Sequence, residues 1–446
     1  MIDMGPELIT IFMFGTLMFC ILLGYPLAYV LAGVAMVTSL MFFGPEQTFG
    51  VFYGRIWGVM TEYVFLATPL FIFMGLMLER TGISERLFGA IHLWTGPLRG
   101  GLAMATVLIG TILAACVGII GASVVMLGLI ALPAMLNRGY NKELACGSVC
   151  AGGTLGILIP PSVMLVIYGP TADIGVGKLF MAAFIPGFTL SALYIAYIGI
   201  ASFLKPQLAP SLPAEQRRVP LTKKFVMLAT SLVPPLFLIV AVLGTIFLGV
   251  AAPTEAASIG AIATIILAMA YRSFSWQSLK EVTYHTLRVT CFVMIIAMCA
   301  SMFTSTFLGL GCGEVVKNAV LSMPMGRWGS FALIMVIVLL LGMFIDWIGI
   351  IFIMVPIVTP IGVALGFDAL WFAMMIIVNL QMSFLTPPFA YAIFYLKGIC
   401  KPEWGVDTGH IIRGVIPFIV LIMVGLGLCI KFPQIILWLP GKMIRG

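Results

Sequence analysis

Two stretches of the chain set hydroxyl side chains beside consecutive prolines inside apolar sequence. They are Thr154 to Ser162 (TLGILIPPS) and Gln381 to Phe389 (QMSFLTPPF). Pro160-Pro161 and Pro387-Pro388 each remove two backbone donors and clash with the preceding turn, so a continuous helix is broken there. A broken helix offers free carbonyls to cations and free N–H groups to anions. The chemistry such breaks suit is reversible binding of ions and solutes. Thr154, Ser162 and Ser383 are placed to line a substrate cavity. A plain structural kink competes with this for one Pro-Pro, but two at corresponding places argue against it.

A second pair of segments carries glycine with a hard oxygen: Gly118 to Ser123 (GIIGAS) and Gly342 to Gly349 (GMFIDWIG). Glycine permits a tight reversal, and Ser123 and Asp346 offer the oxygen ligands a group-one cation prefers. Asp346 has apolar neighbours on both sides, a costly setting for a carboxylate in a membrane, so function is its default role. Capping the following helix is the competing role. Glu255, in PTEAA, reads instead as a first-turn acid complementing a helix dipole behind Pro253.

Other chemistries lack their residues. The three histidines (His92, His285, His410) stand alone, and no HExxH, GxSxG or Walker pattern occurs, so neither an enzyme nor an ATPase is expected. The nine cysteines show no metal-binding spacing, and Cys20, Cys116 and Cys291 sit in apolar runs as small hydrophobes. No cofactor is called for.

The elements that hold these residues follow from composition. Of 446 residues, 62% are hydrophobic and 9% charged, against about a quarter charged in a soluble domain. Mean hydropathy is +1.18. Apolar runs long enough to cross a bilayer as helix recur, among them Leu8–Val30, Phe225–Val250 and Ile411–Ile430. Runs this long exclude a barrel of short alternating strands. The first lacks a basic leader and a small-residue cleavage site, so it reads as a retained span. The expected class is an all-α integral membrane protein, its surface turned to the lipid bilayer.

The chain also repeats itself at an offset of 227 residues. Pro26 meets Pro253, Gly33 meets Gly260, Gly82 meets Gly309, Pro133 meets Pro360 and Gly139 meets Gly366. The two Pro-Pro pairs then coincide, and Tyr168 meets Tyr395. Four Pro–Pro matches stand where about 0.5 is expected by chance. Residues 1–204 and 225–446 are thus expected to be two repeats of five spans plus one re-entrant hairpin, at about 101–136 and 328–363. Five is odd, so the second repeat would be inverted. The basic linker 205–224, with Lys205, Arg217, Arg218, Lys223 and Lys224, would be cytoplasmic. That topology puts 16 Lys and Arg inside and seven outside. The +7 net charge is uninformative as a sum, but its distribution speaks of membrane orientation, and no nucleic-acid partner is expected. Inverted repeats with interrupted helices suit a secondary transporter with sites near mid-membrane.

These segments resemble the large membrane subunit of tripartite ATP-independent periplasmic (TRAP) transporters, the DctM-like family. The resemblance rests on Gly152–Ser162 (GGTLGILIPPS), Thr171–Phe180 (TADIGVGKLF), Pro253–Ala257 (PTEAA) and Leu385–Pro388 (LTPP), and spans essentially the whole chain. It implies a bacterial inner-membrane, elevator-type permease working with a small four-span membrane subunit and a periplasmic substrate-binding protein. Uptake of a carboxylate would be driven by sodium ions. The first sodium site would use Ser123 and backbone from Gly156 to Pro160; the second would use Gly342, Asp346 and Thr386. Family members often carry several serines at the first tip, whereas here Gly121-Ala122-Ser123 leaves one hydroxyl and shifts weight to carbonyls. Two other readings stay open: a sodium- or proton-coupled anion symporter needing no binding protein, and a non-transporting membrane scaffold.

Overall fold

The computed structural model describes residues 4–118, 120–211 and 220–443, and their regular elements are all helical. Ile119, Arg217, Arg218, Arg445 and the side chain of Cys116 lie outside the described residues. The first half runs through α1 (Pro6–Leu22), α2 (Leu27–Phe42), α3 (Pro45–Thr61), α4 (Ala67–Arg80) and α5 (Ile83–Thr95). It continues with α6 (Gly101–Val117), α7 (Ile120–Leu136), α8 (Lys142–Thr154), α9 (Val163–Ala172) and α10 (Val176–Leu204). The second half holds α11 (Leu221–Phe247), α12 (Pro253–Ala270), α13 (Trp276–Gly309), α14 (Cys312–Leu321) and α15 (Gly326–Gly342). It ends with α16 (Trp347–Ala364), α17 (Ala369–Ser383), α18 (Tyr391–Ile399), α19 (Thr408–Lys431) and the short α20 (Gln434–Leu437).

Local chemistry sets these boundaries. Asn141 Oδ1 accepts from Leu144 N at 3.1 Å to start α8, and Asp368 Oδ1 accepts from Trp371 N at 2.8 Å to start α17. Gly139 and Gly366 take left-handed φ of 74° and 80° just past α7 and α16. Glu255 Oε2 accepts the backbone N–H of Ala252 at 2.9 Å behind Pro253, the first-turn structural role expected of it.

Among the described residues, seven helices are long and apolar enough to cross a membrane. One of them, α16, is 78% buried within the protein, so its apolar surface meets other helices and not lipid. Two expectations need correction. The apolar run Leu8–Val30 is not one span: Gly24 (φ 87°) and Pro26 end α1 and start α2. The glycine matching Gly82 (φ 69°) in conformation is Gly311 (φ 76°), because Gly309 still belongs to α13. The halves therefore differ by two residues there. The first half reaches that point through α3, a 3₁₀ turn at Tyr63–Leu66 and α4, whereas the second uses one unbroken 34-residue helix.

Packing sorts the helices into two groups. In the first, α4 lies on α12, and α13 lies on α2, α3 and α4. The second is centred on α8, which is held by α6, α7 and α19 at glycine contacts. A Cβ at Gly110 would sit 2.6 Å from Gly152 O, and one at Gly147 would collide with the Gly414 carbonyl. The groups meet mainly where α13 faces α16 and α4 faces α6, while α5 packs on both α6 and α11. After α10 the chain turns back onto the second group. Asn141 N donates to Leu208 O at 2.8 Å and Gly100 N to Ala209 O at 3.2 Å, and Ala209 is fully buried.

Candidate ion and solute site

Both corresponding proline pairs interrupt the chain as expected, whereas Pro234-Pro235 lies inside the continuous α11. α8 gives way to a 3₁₀ turn at Leu155–Ile157 before Pro160-Pro161, and α9 begins at Val163. α17 stops at Ser383 and α18 begins at Tyr391, with Pro387-Pro388 between them. The Pro160-Pro161 and Pro387-Pro388 bonds are cis. Neighbouring hydroxyls serve the loosened backbone: Ser162 donates to Ile157 O, and Thr386 donates to Met382 O at 2.7 Å. Thr154 donates to Ala151 O at 3.0 Å, and Ser383 to Leu339 O at 3.4 Å.

The hairpin tips meet these breaks. Gly118, at φ 64°, lies between α6 and α7, and a Cβ there would be 3.4 Å from Val163 N and 3.6 Å from Pro161 O. Gly342 ends α15, where a Cβ would collide with the Ser383 side chain, and Phe389 N donates to Met343 O at 3.2 Å. First tip thus sits on first break, and second tip on second break. Ser123 is 1% exposed, and its Oγ has no hydrogen-bond partner among the described residues. A buried hydroxyl left that way fits a cation ligand. Asp346 occupies the N-cap position of α16, and its carboxylate lies beside the Trp347 and Ile348 N–H groups without making a capping bond.

One cavity of about 550 Å³ joins these parts. Its wall includes Ile120, Gly121 and Ala122 from the first tip and Asp346, Trp347 and Ile348 from the second. Val163 follows the first break, and Tyr391 and Tyr395 follow the second. α4 and α13 close the other side, where Arg80 Nη2 pairs with Glu281 Oε2 at 3.1 Å beside Glu79 and His285. A smaller cavity of about 420 Å³ shares Asp346 and Tyr391 and adds Tyr25 and Tyr29. A third, of about 450 Å³, lies at the far end of α13 around Arg55, Glu62, Ser301 and Ser305.

The site residues expected from sequence therefore fall into two sets. Asp346 faces the large cavity, and Ser123 and Gly342 belong to the hairpin tips beside it. Thr154, Ser162 and Ser383 are fully buried and do not line the cavities that hold Asp346. Gly156 lies in the buried 3₁₀ turn, and Thr386 is partly buried next to Pro387. Sequence reasoning missed Tyr391, Tyr395, Arg80 and Glu281 as cavity residues. The i, i+4 spacing of the two tyrosines, just past a proline break, was the available signal.

The comparisons with known proteins bear on the same architecture. A family model described as "Tripartite ATP-independent periplasmic transporter, DctM component" matches residues 14–435. The chain belongs to the DctM family. A C4-dicarboxylate TRAP transporter large permease protein, DctM of Pseudomonas aeruginosa, is 29% identical over 92% of this chain and 93% of its own. The sialic acid TRAP transporter large permease protein SiaM of Vibrio cholerae is 28% identical over 94% of this chain and 95% of its own. Among solved structures, the YdaH transporter of Alcanivorax borkumensis aligns with a TM-score of 0.65 over 97% of this chain and 100% of its own, at 14% identity. That likeness shows a shared fold. As a DctM component, this protein is a multi-pass membrane permease subunit of a TRAP-type secondary transporter.

Proposed function

We propose that this DctM protein takes up a small carboxylate by coupling it to sodium ions moving down their gradient. The observation that carries this is the single cavity lined by both hairpin tips and by residues following both proline breaks, with Asp346 in its wall. Sodium would bind Ser123 with the carbonyls from Gly156 to Pro160 at one tip, and Gly342, Asp346 and Thr386 at the other. One charge moving down about 100 mV releases roughly 2.3 kcal/mol, so two ions supply an appreciable driving force. The carboxylate would be met by helix N-termini near the breaks. Thr154, Ser162 and Ser383 would act by bracing those breaks, or by lining a cavity that opens in another state.

Counting α3 with α4, α8 with α9, and α17 with α18, and leaving out the short amphipathic α5 and α14 and the four-residue α20, each half supplies five crossings plus a hairpin. That count supports an inverted pair with the 205–224 linker inside a bacterial inner membrane. The two packing groups support an elevator in which the hairpin-bearing group slides against α1–α4 and α11–α13. A small membrane subunit and a periplasmic binding protein would complete the transporter. The isethionate TRAP transporter permease protein DctMQ of Oleidesulfovibrio alaskensis, 58% of whose length this chain covers, fits a large subunit paired with a smaller one.

The test is uptake of radiolabelled carboxylates into proteoliposomes holding this chain and its small subunit, with and without binding protein and an inward sodium gradient. Uptake that needs both is expected. Uptake without the binding protein would establish a self-sufficient symporter instead, and sodium-independent uptake would overturn the coupling.

A further inference from the structure

Tyr168 and Tyr395 correspond at the 227-residue offset, and each lies on the helix that follows a proline break. Each of those helices packs across onto the second helix of the other half's hairpin: α9 on α16, and α18 on α7. The two crossings are not alike. The Tyr168 hydroxyl lies beside Thr359, near the far end of α16. Thr359 lies thirteen positions along the chain from Asp346, or about 20 Å along the helix. Tyr395 instead touches the tip of α7 itself: a Cβ at Gly121 would lie 3.1, 3.2 and 3.4 Å from its ring carbons Cζ, Cε1 and Cε2.

The close approach is built into α7. Gly121 and Gly128 are one heptad apart, and so share a face. A Cβ at Gly128 would run into Leu396 and Ile399 of the same α18. The two glycines make a smooth groove in which α18 lies. The corresponding positions of α16 are Ile348 and Val355, so that helix has no such groove. From the groove, Tyr395 also faces the large cavity with Tyr391 and Asp346. One rigid ring thus touches the tip that carries Ser123 and shares the cavity wall with the tip that carries Asp346.

We infer that Tyr395, seated on Gly121, is a positioning residue that couples the two hairpin tips, so that a cation held at one tip raises affinity at the other. This rests on the sodium-coupled function proposed above. Packed interiors pass a displacement on and do not absorb it, so ordering the first tip around an ion fixes the ring. A fixed ring in turn holds the cavity wall around Asp346.

The experiment is sodium-dependent uptake in proteoliposomes, read as the Hill coefficient and half-saturating sodium for the unaltered protein, Tyr395→Leu, Gly121→Ala and the double variant. Both readouts are independent of the maximal rate. The expected result is a Hill coefficient above one in the unaltered protein, falling toward one in each single variant. Half-saturating sodium should rise about fivefold or more. The double variant should be no worse than Gly121→Ala alone, because the smaller side chain makes room for the new methyl. Single variants that keep the unaltered Hill coefficient overturn the inference while leaving sodium coupling standing, as does an unaltered protein with a Hill coefficient of one. Sodium-independent uptake by the unaltered protein overturns the proposed function, and the inference with it.

Discussion

Asp346 carries a charge that its apolar neighbours in the sequence cannot solvate, and it faces a cavity instead of lipid. Replacing it with alanine should reduce uptake to background while the protein remains in the membrane, a result read by uptake and immunoblot together. Ser123→Ala and Thr386→Val test the remaining oxygens. The Thr386 hydroxyl spends its proton on Met382 O, which leaves its lone pairs free for a cation. Each loss should cost about 1 kcal/mol, roughly a fivefold rise in half-saturating sodium. Unchanged sodium dependence in both would remove them as ligands. The residues legible in the sequence were the two proline pairs at corresponding places, a tip glycine and a lone carboxylate; a proline pair alone is no sign, since Pro234-Pro235 lies inside the continuous α11. Tyr395 and Arg80 were not legible, because their roles come from partners remote in the chain, Gly121 on α7 and Glu281 on α13.

At the scale of elements, α8 is the part with least room for change. Its Gly147 meets the backbone of Gly414 on α19, and Arg413 and Glu143 approach to 3.7 Å near the same crossing. Gly414→Val forces a branched side chain against the Glu143 carbonyl and should cost about 1–3 kcal/mol or more, seen as a lower Tm in detergent. The amphipathic α5 gives a pH-dependent prediction. Arg138 Nη1 lies 2.8 Å from His92 Nε2, and burial, with the guanidinium adding to it, pushes the imidazole down to about 4. A folded-state value below the unfolded one means the neutral form supports the fold. That support is complete above about 6.5 and is lost as pH falls toward 4. Between pH 7 and 5, Tm of the unaltered protein should fall further than Tm of His92→Gln. Equal falls would show that His92 contributes nothing. Asn141, Asp368, Gly139 and Gly366 set helix ends through their own backbone neighbourhood, though of these the sequence reading used only the two glycines, as marks of repetition. The break at Gly24 was hidden by the unrelieved hydrophobicity of Leu8–Val30, where length argued for one span and only the glycine and proline argued for two.

For the whole molecule, orientation is the first test. Single cysteines at the exposed Gln207 and Gln434, in a background without the native thiols, should be labelled from opposite sides of the membrane, Gln207 from the cytoplasm. Labelling of both from one side would contradict an odd number of crossings. The membrane class was legible from composition alone, because long apolar runs need no tertiary partner to be recognised. The division into two packing groups was not legible, since it depends on which apolar face meets a helix and which meets lipid. The pinning of Leu208 and Ala209 to the ends of the first hairpin bears on that division. Those residues are tied to the hairpin group, while Leu221 opens α11, which packs on α12 in the other. The chain thus passes from one group to the other at this linker as it does at α5, ahead of α6, and at α14, ahead of α15, so neither group shifts against the other without drawing on all of these connections.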